Sequence, residues 1–541
     1  MNGSDRHSER LIDRPGLQWG ALLLIWLAGV VSFQLRPIMP IDETRYISVA
    51  WEMWQGNQWW VAHMNGTPYA DKPPLLFWLI NLGWGMFGVN DWWPRLIMPL
   101  ASLLGLFQLR RIALNLGYDA RTARMALLVL MSMLMWWLYS ATLMFDVLLT
   151  TCLLGAVAAL TGQAALRRRA PSVTLWLGLA LLAKGPAVLL SWLPIPVTLP
   201  LWSERPKGER RPLMFWLATG AALLILLGWA LSSARVGGDA YASNLLWHQS
   251  VDRLEQVADH ARPFWWYLPM LPVLLLPWSL WLPALQLWRW DSYAAPRRAR
   301  RLLWCWALAP LVLFSLVSGK QVHYLMPILP PLALLIAEAL IRPAPERRHT
   351  LRVPAIALFA TGALALVVKM VGSDQLAGMF SLHGVWLLWV LAAAAAVVRL
   401  QTRAAATLLA MIGTASLTLM LTVMMSPLWP SMDTQRPGAL LSRLESQGYP
   451  VVWYGNNYQA SFQFAGRLTT PLQIIDSDLP DLCHWRQNHS DGWVIGDSRQ
   501  LPSLHVPALA HRFPWRSRTL MVIPVSAMQI ATPFYLCPEP L

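Results

Sequence analysis

From residue 17 to residue 425 the chain alternates long apolar runs with short, arginine-rich connectors. Many of the runs approach or exceed the roughly 18 residues a helix needs to cross a bilayer. The pattern predicts a polytopic α-helical membrane protein. Single crossings are read over 17–35, 95–109, 125–139, 146–166, 212–231, 264–288, 302–318, 324–341, 353–371, 383–398 and 404–425. Segment 172–202 is read as crossing twice, interrupted at Lys184-Gly185-Pro186, because proline after glycine breaks a helix. Segment 75–89 is read as an interfacial or re-entrant helix, which keeps the arginine clusters on one side and gives about 13 spans. After Pro427 short β-rich runs (VVWYG, PLQIID, GWVIG, RTLMVIPV) alternate with turn residues and one helix over 437–447. The expected organisation is a membrane domain over 1–426 and a small soluble α/β domain over 427–541. The membrane domain contains external loops at 36–94, with interfacial helices, and at 233–263.

Composition agrees with the pattern. Apolar residues make up 56% of the 541 and charged residues 13%, against about 25% charged in a soluble domain. The net charge of +15 could suggest nucleic acid, but the basic residues fall in connectors. They cluster at Arg10/Arg14, 110–124, 167–169, 205–211, 297–301, 342–352 and Arg399/Arg403, the positive-inside signature of cytoplasmic loops. A bilayer is the expected partner and nucleic acid is not. The 33 tryptophans suit interfacial belts or carbohydrate platforms. Segment 17–35 lacks a small-residue cleavage site and reads as an uncleaved anchor. Of four cysteines, Cys152 and Cys305 sit in apolar runs, while Cys483 and Cys537 lie in the tail, where an external location would permit a disulfide.

Charges beside apolar runs carry the candidate chemistry. Stretch 40–76 holds Asp42, Glu43, Arg45, Asp71 and Lys72 among aromatics. Asp42 either orients and deprotonates an acceptor or caps the following helix. Lys72, before two prolines, either contacts a phosphate or precedes an ordinary helix start. Asp146 in LMFDVLLT and Lys184 in LAKGPAV are ionisable groups in apolar surroundings, either functional or capping. The topology puts Asp42, Lys72, Asp146 and Lys184 on one face, joined by His248, Arg253, His260 and Arg262 from the second loop and by Lys320 and Tyr324 from a further turn. Cations gathered around a few acids suit an anionic lipid phosphate as a leaving group. The histidines show no short-range metal-ligand spacing.

DETRY, YADKPPLLFW, an aspartate opening a span, LLAKGP and SGKQVHYLMPILPPLALL, in that order, resemble the lipid A aminoarabinose transferase (ArnT) family. That family belongs to the GT-C membrane glycosyltransferases, with the protein O-mannosyltransferases. The resemblance runs from about residue 17 through residue 340, and WYGNNYQASFQFAGR in the tail is compatible with it. It implies an inverting transfer of a sugar from an undecaprenyl-phosphate donor to lipid A or another envelope lipid or glycan. The setting implied is the periplasmic side of a bacterial inner membrane, with the C-terminus also periplasmic. By motif, Asp42 and Asp146 look like the catalytic acids. Arg45, Tyr69, Lys72, Lys184, Arg253, Lys320 and Tyr324 look like the donor-phosphate set, and Asp71 with His248 match positions for a divalent cation. Two departures bear on metal, sugar and acceptor: Asp71 stands where glutamate is usual, and Val147 follows Asp146 where proline is common. The competing reading is a transporter or flippase for the same lipid, which would carry its charges at mid-membrane depth. A non-catalytic envelope scaffold is the third.

Overall fold

The computed structural model describes residues 15–203, 211–245, 261–287, 297–341, 348–372, 378–456, 458–501, 504–505 and 509–530. His248, Arg253, His260 and Cys537 lie outside the described residues. Among those described, eight helical segments are long and apolar enough to cross a bilayer, and four apolar helices are shorter. The chain is a polytopic α-helical membrane protein. The elements that build its site are α1 (Pro15–Leu35), α2 (Asp42–Gln55), α3 (Leu75–Phe87), α4 (Trp92–Asn115), α5 (Ala120–Ser132), α6 (Leu134–Tyr139), α7 (Phe145–Thr161) and α8 (Leu166–Lys184).

Two ends of the bundle are fixed by polar contacts. At the arginine-rich end Asn115 donates to the Ala158 carbonyl (3.1 Å), Tyr118 donates to Glu338 (3.1 Å), and Arg300 lies 3.5 Å from Glu338. There Arg301 also donates to the Leu201 carbonyl (3.2 Å). At the opposite end the first turn of α7 meets the last residue of α8 through the Asp146–Lys184 ion pair. The chain therefore reaches the Asp146 end at Lys184 and is back at the arginine-rich end by Leu201. Gly185 makes that reversal with φ +72° and ψ −159°, a conformation essentially confined to glycine. Helical hydropathy runs on from Arg167 to Val197, but the backbone turns back inside it.

Two other apolar runs are more divided than their hydropathy suggests. Run 125–139 breaks between α5 and α6 at Met133, which is extended (φ −63°, ψ 131°), and the Leu134 N–H donates to the Leu276 carbonyl (2.8 Å). Run 264–288 forms one short helix, Tyr267–Leu274, with 3₁₀ turns around prolines 263, 277 and 283. Helix α3 has 13 residues, about 20 Å at 1.5 Å per residue. That is short of a roughly 30 Å hydrocarbon core. It buries Leu76, Phe77, Ile80 and Trp84 and exposes Leu82, Met86 and Phe87.

In the tail, strands β1 (Val451–Tyr454), β2 (Gln473–Ile475), β3 (Trp493–Asp497), β4 (His511–Trp515) and β5 (Arg518–Pro524) form one sheet in the order β2-β1-β3-β5-β4. Strand β1 pairs in parallel with both β2 and β3, while β5 runs antiparallel to β3 and β4. Cys483 is disulfide-bonded. The sheet and its flanking residues meet α2 and the short hairpin after it, where His63–Met64 pair with Thr67–Pro68. Trp51 donates to the Leu468 carbonyl (2.9 Å), the Phe464 N–H donates to Ser48 (3.2 Å), and Gln463 donates to Asn65 (2.6 Å). Asn65 in turn donates to the Leu472 carbonyl (2.8 Å), and Phe464 stacks on Trp84 with centroids 5.3 Å apart. Ion pairing of Arg467 with Asp91 (2.7 Å) closes the contact.

Gly185 tests whether the reversal sets the Lys184 end. A Cβ there would sit 3.7 Å from Pro73, an ordinary contact, so backbone conformation is the obstacle to a side chain. Gly185→Ala should destabilise the protein by about 1–3 kcal/mol, read by thermal unfolding in detergent. An unchanged midpoint would show that the turn tolerates an L side chain.

Candidate functional site

The site is assembled around a buried carboxylate. Glu43 accepts two hydrogen bonds from the Arg36 guanidinium (2.6 and 2.8 Å), one from the Met39 N–H (2.8 Å) and one from the Leu143 N–H (2.9 Å). Arg36 and Glu43 side chains are 7% and 6% exposed. Arg95 of α4 donates to the carbonyls of Gln34 and Arg36 (3.2 and 2.6 Å), so the exit of α1 is held from both sides. Burial pushes the Glu43 carboxyl up, but the Arg36 charge and the hydrogen bonds from Arg36, Met39 and Leu143 outweigh it and hold the group below its ordinary value. One side chain thus joins the end of α1, the start of α2 and the loop that leads to Asp146. Sequence reasoning named Glu43 without giving it this role. Its signal, an acid one residue after another acid at a helix start, is not distinctive.

Asp42, the neighbour of Glu43, is about half exposed. It pairs with Arg45 one turn along α2 and accepts from the Tyr46 hydroxyl (3.3 Å). Burial and the Asp42 charge push the Tyr46 phenol up, so it stays a proton donor to Asp42. Arg45 also donates to Gln459 of the C-terminal region (2.8 Å), and its guanidinium lies 5.2 Å from the Tyr46 ring centre. Its buried Nε has no hydrogen-bond partner among the described residues. A buried N–H normally finds an acceptor. This one is available to an anion.

Asp146 is 3% exposed and pairs with Lys184, whose ammonium lies 4.7 Å from the Tyr324 ring centre. His323 Nε2 stands 4.0 Å from the second Asp146 oxygen, and its ring packs on Tyr139 and Tyr324. The charges of Asp146, Lys184, Asp42 and Lys72 all act on His323, which sequence reasoning left without a part. Rings bind the two halves together: Tyr46 on Phe145 (4.9 Å), Phe77 on Phe145 (5.7 Å) and Tyr69 on Phe77 (6.3 Å). Tyr69 is buried, and Gly185 lies beside Pro73, so the Lys72 turn meets the Lys184 turn.

Lys320 is placed differently from the expected donor-phosphate set. Its buried ammonium donates to the carbonyls of Arg262 (3.0 Å) and Val317 (2.5 Å). It clips the Arg262 backbone to the turn at 318–320, where the Arg262 N–H also donates to the Ser318 carbonyl (3.1 Å). Asp71 is exposed and belongs to no group of three or more metal-ligating side chains among the described residues. The other residue expected at a cation, His248, and the expected phosphate contact Arg253 lie outside the described residues. One carboxylate does not make a metal site.

The family described as dolichyl-phosphate-mannose-protein mannosyltransferase matches residues 71–230. An undecaprenyl phosphate-alpha-4-amino-4-deoxy-L-arabinose arabinosyl transferase of Pseudomonas paraeruginosa is 34% identical over 358 residues, 59% of this chain and 60% of that protein. The protein of the same name from Pseudomonas savastanoi pv. phaseolicola is 32% identical over 384 residues, 64% of this chain and 67% of its own length. The match to the first of these therefore spans about 60% of the relative's length. In structure, ArnT from Cupriavidus metallidurans bound to undecaprenyl phosphate superposes with a TM-score of 0.68 at 20% identity, covering 97% of this chain and 98% of that one. Its apo state gives 0.69 at 19% identity with the same coverage. The chain shares that GT-C membrane fold.

The Arg36–Glu43 pair makes a direct prediction. Glu43→Ala leaves a buried guanidinium unpaired and should cost about 3–5 kcal/mol, whereas replacing both partners by Met and Leu should cost much less. Denaturant titration of the purified protein measures both. The folded carboxyl sits below its ordinary 4.5. The pair's contribution should therefore be complete above pH 4.5 and be lost as pH falls through the depressed value. Equal losses in the single and double variants would remove the pair from its assigned role.

Proposed function

The chain belongs to the undecaprenyl phosphate-alpha-4-amino-4-deoxy-L-arabinose arabinosyl transferase family, and from that premise we propose that it is an inverting glycosyltransferase. It takes a sugar from an undecaprenyl-phosphate carrier, 4-amino-4-deoxy-L-arabinose in the closest analogy to its relatives, and passes it to lipid A or another envelope lipid or glycan. The site faces the periplasm at a bacterial inner membrane, because the arginine clusters lie at the opposite end and mark the cytoplasmic side. One observation carries the reading. Two cations and two carboxylates converge at one end of the bundle, with one carboxylate half exposed and one guanidinium N–H that has no acceptor among the described residues. A flippase would set such charges at mid-depth.

Lys184, Arg45 and Lys72 hold the donor phosphate, and charge-assisted hydrogen bonds to the leaving oxygens strengthen as negative charge grows there. Asp146 is the positioning residue for Lys184, since its buried carboxylate fixes the ammonium at the end of α8. Tyr69 and Tyr324 wall the cations. The acceptor oxygen attacks the anomeric carbon on the face opposite the phosphate. As the new C–O bond forms, the old one breaks and its electron pair leaves with undecaprenyl phosphate. A hydroxyl acceptor passes its proton to Asp42. An acceptor that is already a phosphate anion needs only orientation by Asp42 and its neighbours.

Purified protein in vesicles supplied with an undecaprenyl-phosphate sugar and acceptor lipid tests the assignment. Asp42→Asn should lower kcat by about 10²–10⁴-fold where it acts as base. Lys184→Met should chiefly raise the donor KM. Full turnover by Asp42→Asn would take the residue out of the reaction.

A further inference from the structure

Among the described residues, the hydrogen bonds of Arg45 fall on Asp42 and Tyr46 of α2 and on one residue of the C-terminal region, Gln459. That arrangement is unusual in its chemistry. The Asp42 carboxylate already balances the Arg45 charge, and a second acid opposite it would make the group net negative and repel an anion. The sheet domain presents an amide oxygen instead, at 2.8 Å. An amide oxygen accepts and orients without adding negative charge, so the remaining N–H can still meet an anion.

We propose that the C-terminal domain completes the transfer site, with Gln459 as the positioning residue that aims Arg45 at the donor phosphate. This rests on the glycosyl-transfer reading and adds the source and purpose of one further side chain. Three observations support it independently. Gln459 lies in a segment held on both sides: Tyr458 is buried and donates to Gln463 (2.6 Å), and Ala460 is buried at φ +51°. A left-handed alanine persists only where its surroundings over-determine it. The residues that follow the segment, Gln463, Phe464 and Leu468, bond to Ser48 and Trp51 of α2, the helix that carries Asp42 and Arg45, and to Asn65 in the hairpin after it. Finally, the three guanidinium nitrogens divide their tasks. One Nη goes to Gln459, the other to Asp42, and the buried Nε remains open among the described residues. With both ends tied, the open N–H has a fixed direction, which preorganises it for a phosphate oxygen.

Gln459→Leu keeps the size of the side chain and removes the acceptor. Gln459→Glu keeps the acceptor and adds a charge. Gln55→Ala is the control, since Gln55 only donates to the Leu468 carbonyl in the docking contact (3.2 Å). In the vesicle assay Gln459→Leu should lower kcat/KM by about tenfold or more, the scale of one hydrogen bond to a charged group. Gln459→Glu should keep kcat near the parent value and raise the donor KM severalfold, because the new carboxylate competes with phosphate for Arg45. Gln55→Ala should match the parent. A Gln459→Leu variant that transfers as well as the parent overturns the proposal while leaving glycosyl transfer intact. Equal losses in Gln459→Leu, Gln459→Glu and Gln55→Ala also overturn it, because they assign Gln459 to docking alone. A parent that transfers nothing from the donor overturns the transfer reading and this inference with it.

Discussion

The fold depends on one desolvated ion pair. Taking Arg36 and Glu43 out of water is expensive, and their attraction offsets that cost only because every carboxylate lone pair is also occupied. The geometry that satisfies Glu43 leaves little freedom to the three backbone segments it joins. Asp42, next in sequence, is turned outward by the same helix start that turns Glu43 inward. Leu143, bound to Glu43, stands three residues before Asp146. The outward acid of α2 and the buried acid of α7 are thereby placed on the same end of the bundle by one buried side chain.

Three regions of the chain then share the site. The first loop supplies Asp42, Arg45 and Lys72. Helices α7 and α8 supply Asp146 and Lys184, brought together because Gly185 lets the chain end α8 and turn back. Aromatic edges from Tyr46, Phe77 and Phe145 fill the seam between loop and bundle, and residues beside the C-terminal sheet bond to α2. Docking through Phe464, Asn65 and Arg467 combines apolar stacking with satisfied hydrogen bonds, which fixes orientation as well as adhesion.

Much of this was legible from residue chemistry. The polytopic class follows from apolar runs, and Asp146 and Lys184 stand out because charges are rare in such runs. Their pairing is not visible, since 38 residues separate them and only the glycine turn brings them together. Glu43 and Asp42 are chemically alike, and the inward one is chosen by helix phase against Arg36 and Leu143, which no local pattern encodes. Gln459 is neutral and lies 414 positions from Arg45, so nothing in the sequence links them. Lys320 was legible as a cation, but its partners are main-chain carbonyls, which have no signature in side-chain composition. Breaks at Met133 and around the prolines of 264–288 likewise depend on what the backbone bonds to in three dimensions.

The central claim is that this end of the bundle moves a sugar from a polyprenyl phosphate onto an envelope acceptor. Mass spectrometry of lipid A and the other envelope glycans from cells with and without the protein tests it most directly. The account predicts one glycosyl substituent, an aminopentose in the closest analogy, that is present with the protein and absent without it. Identical spectra for lipid A and every other envelope glycan in the two strains would contradict it.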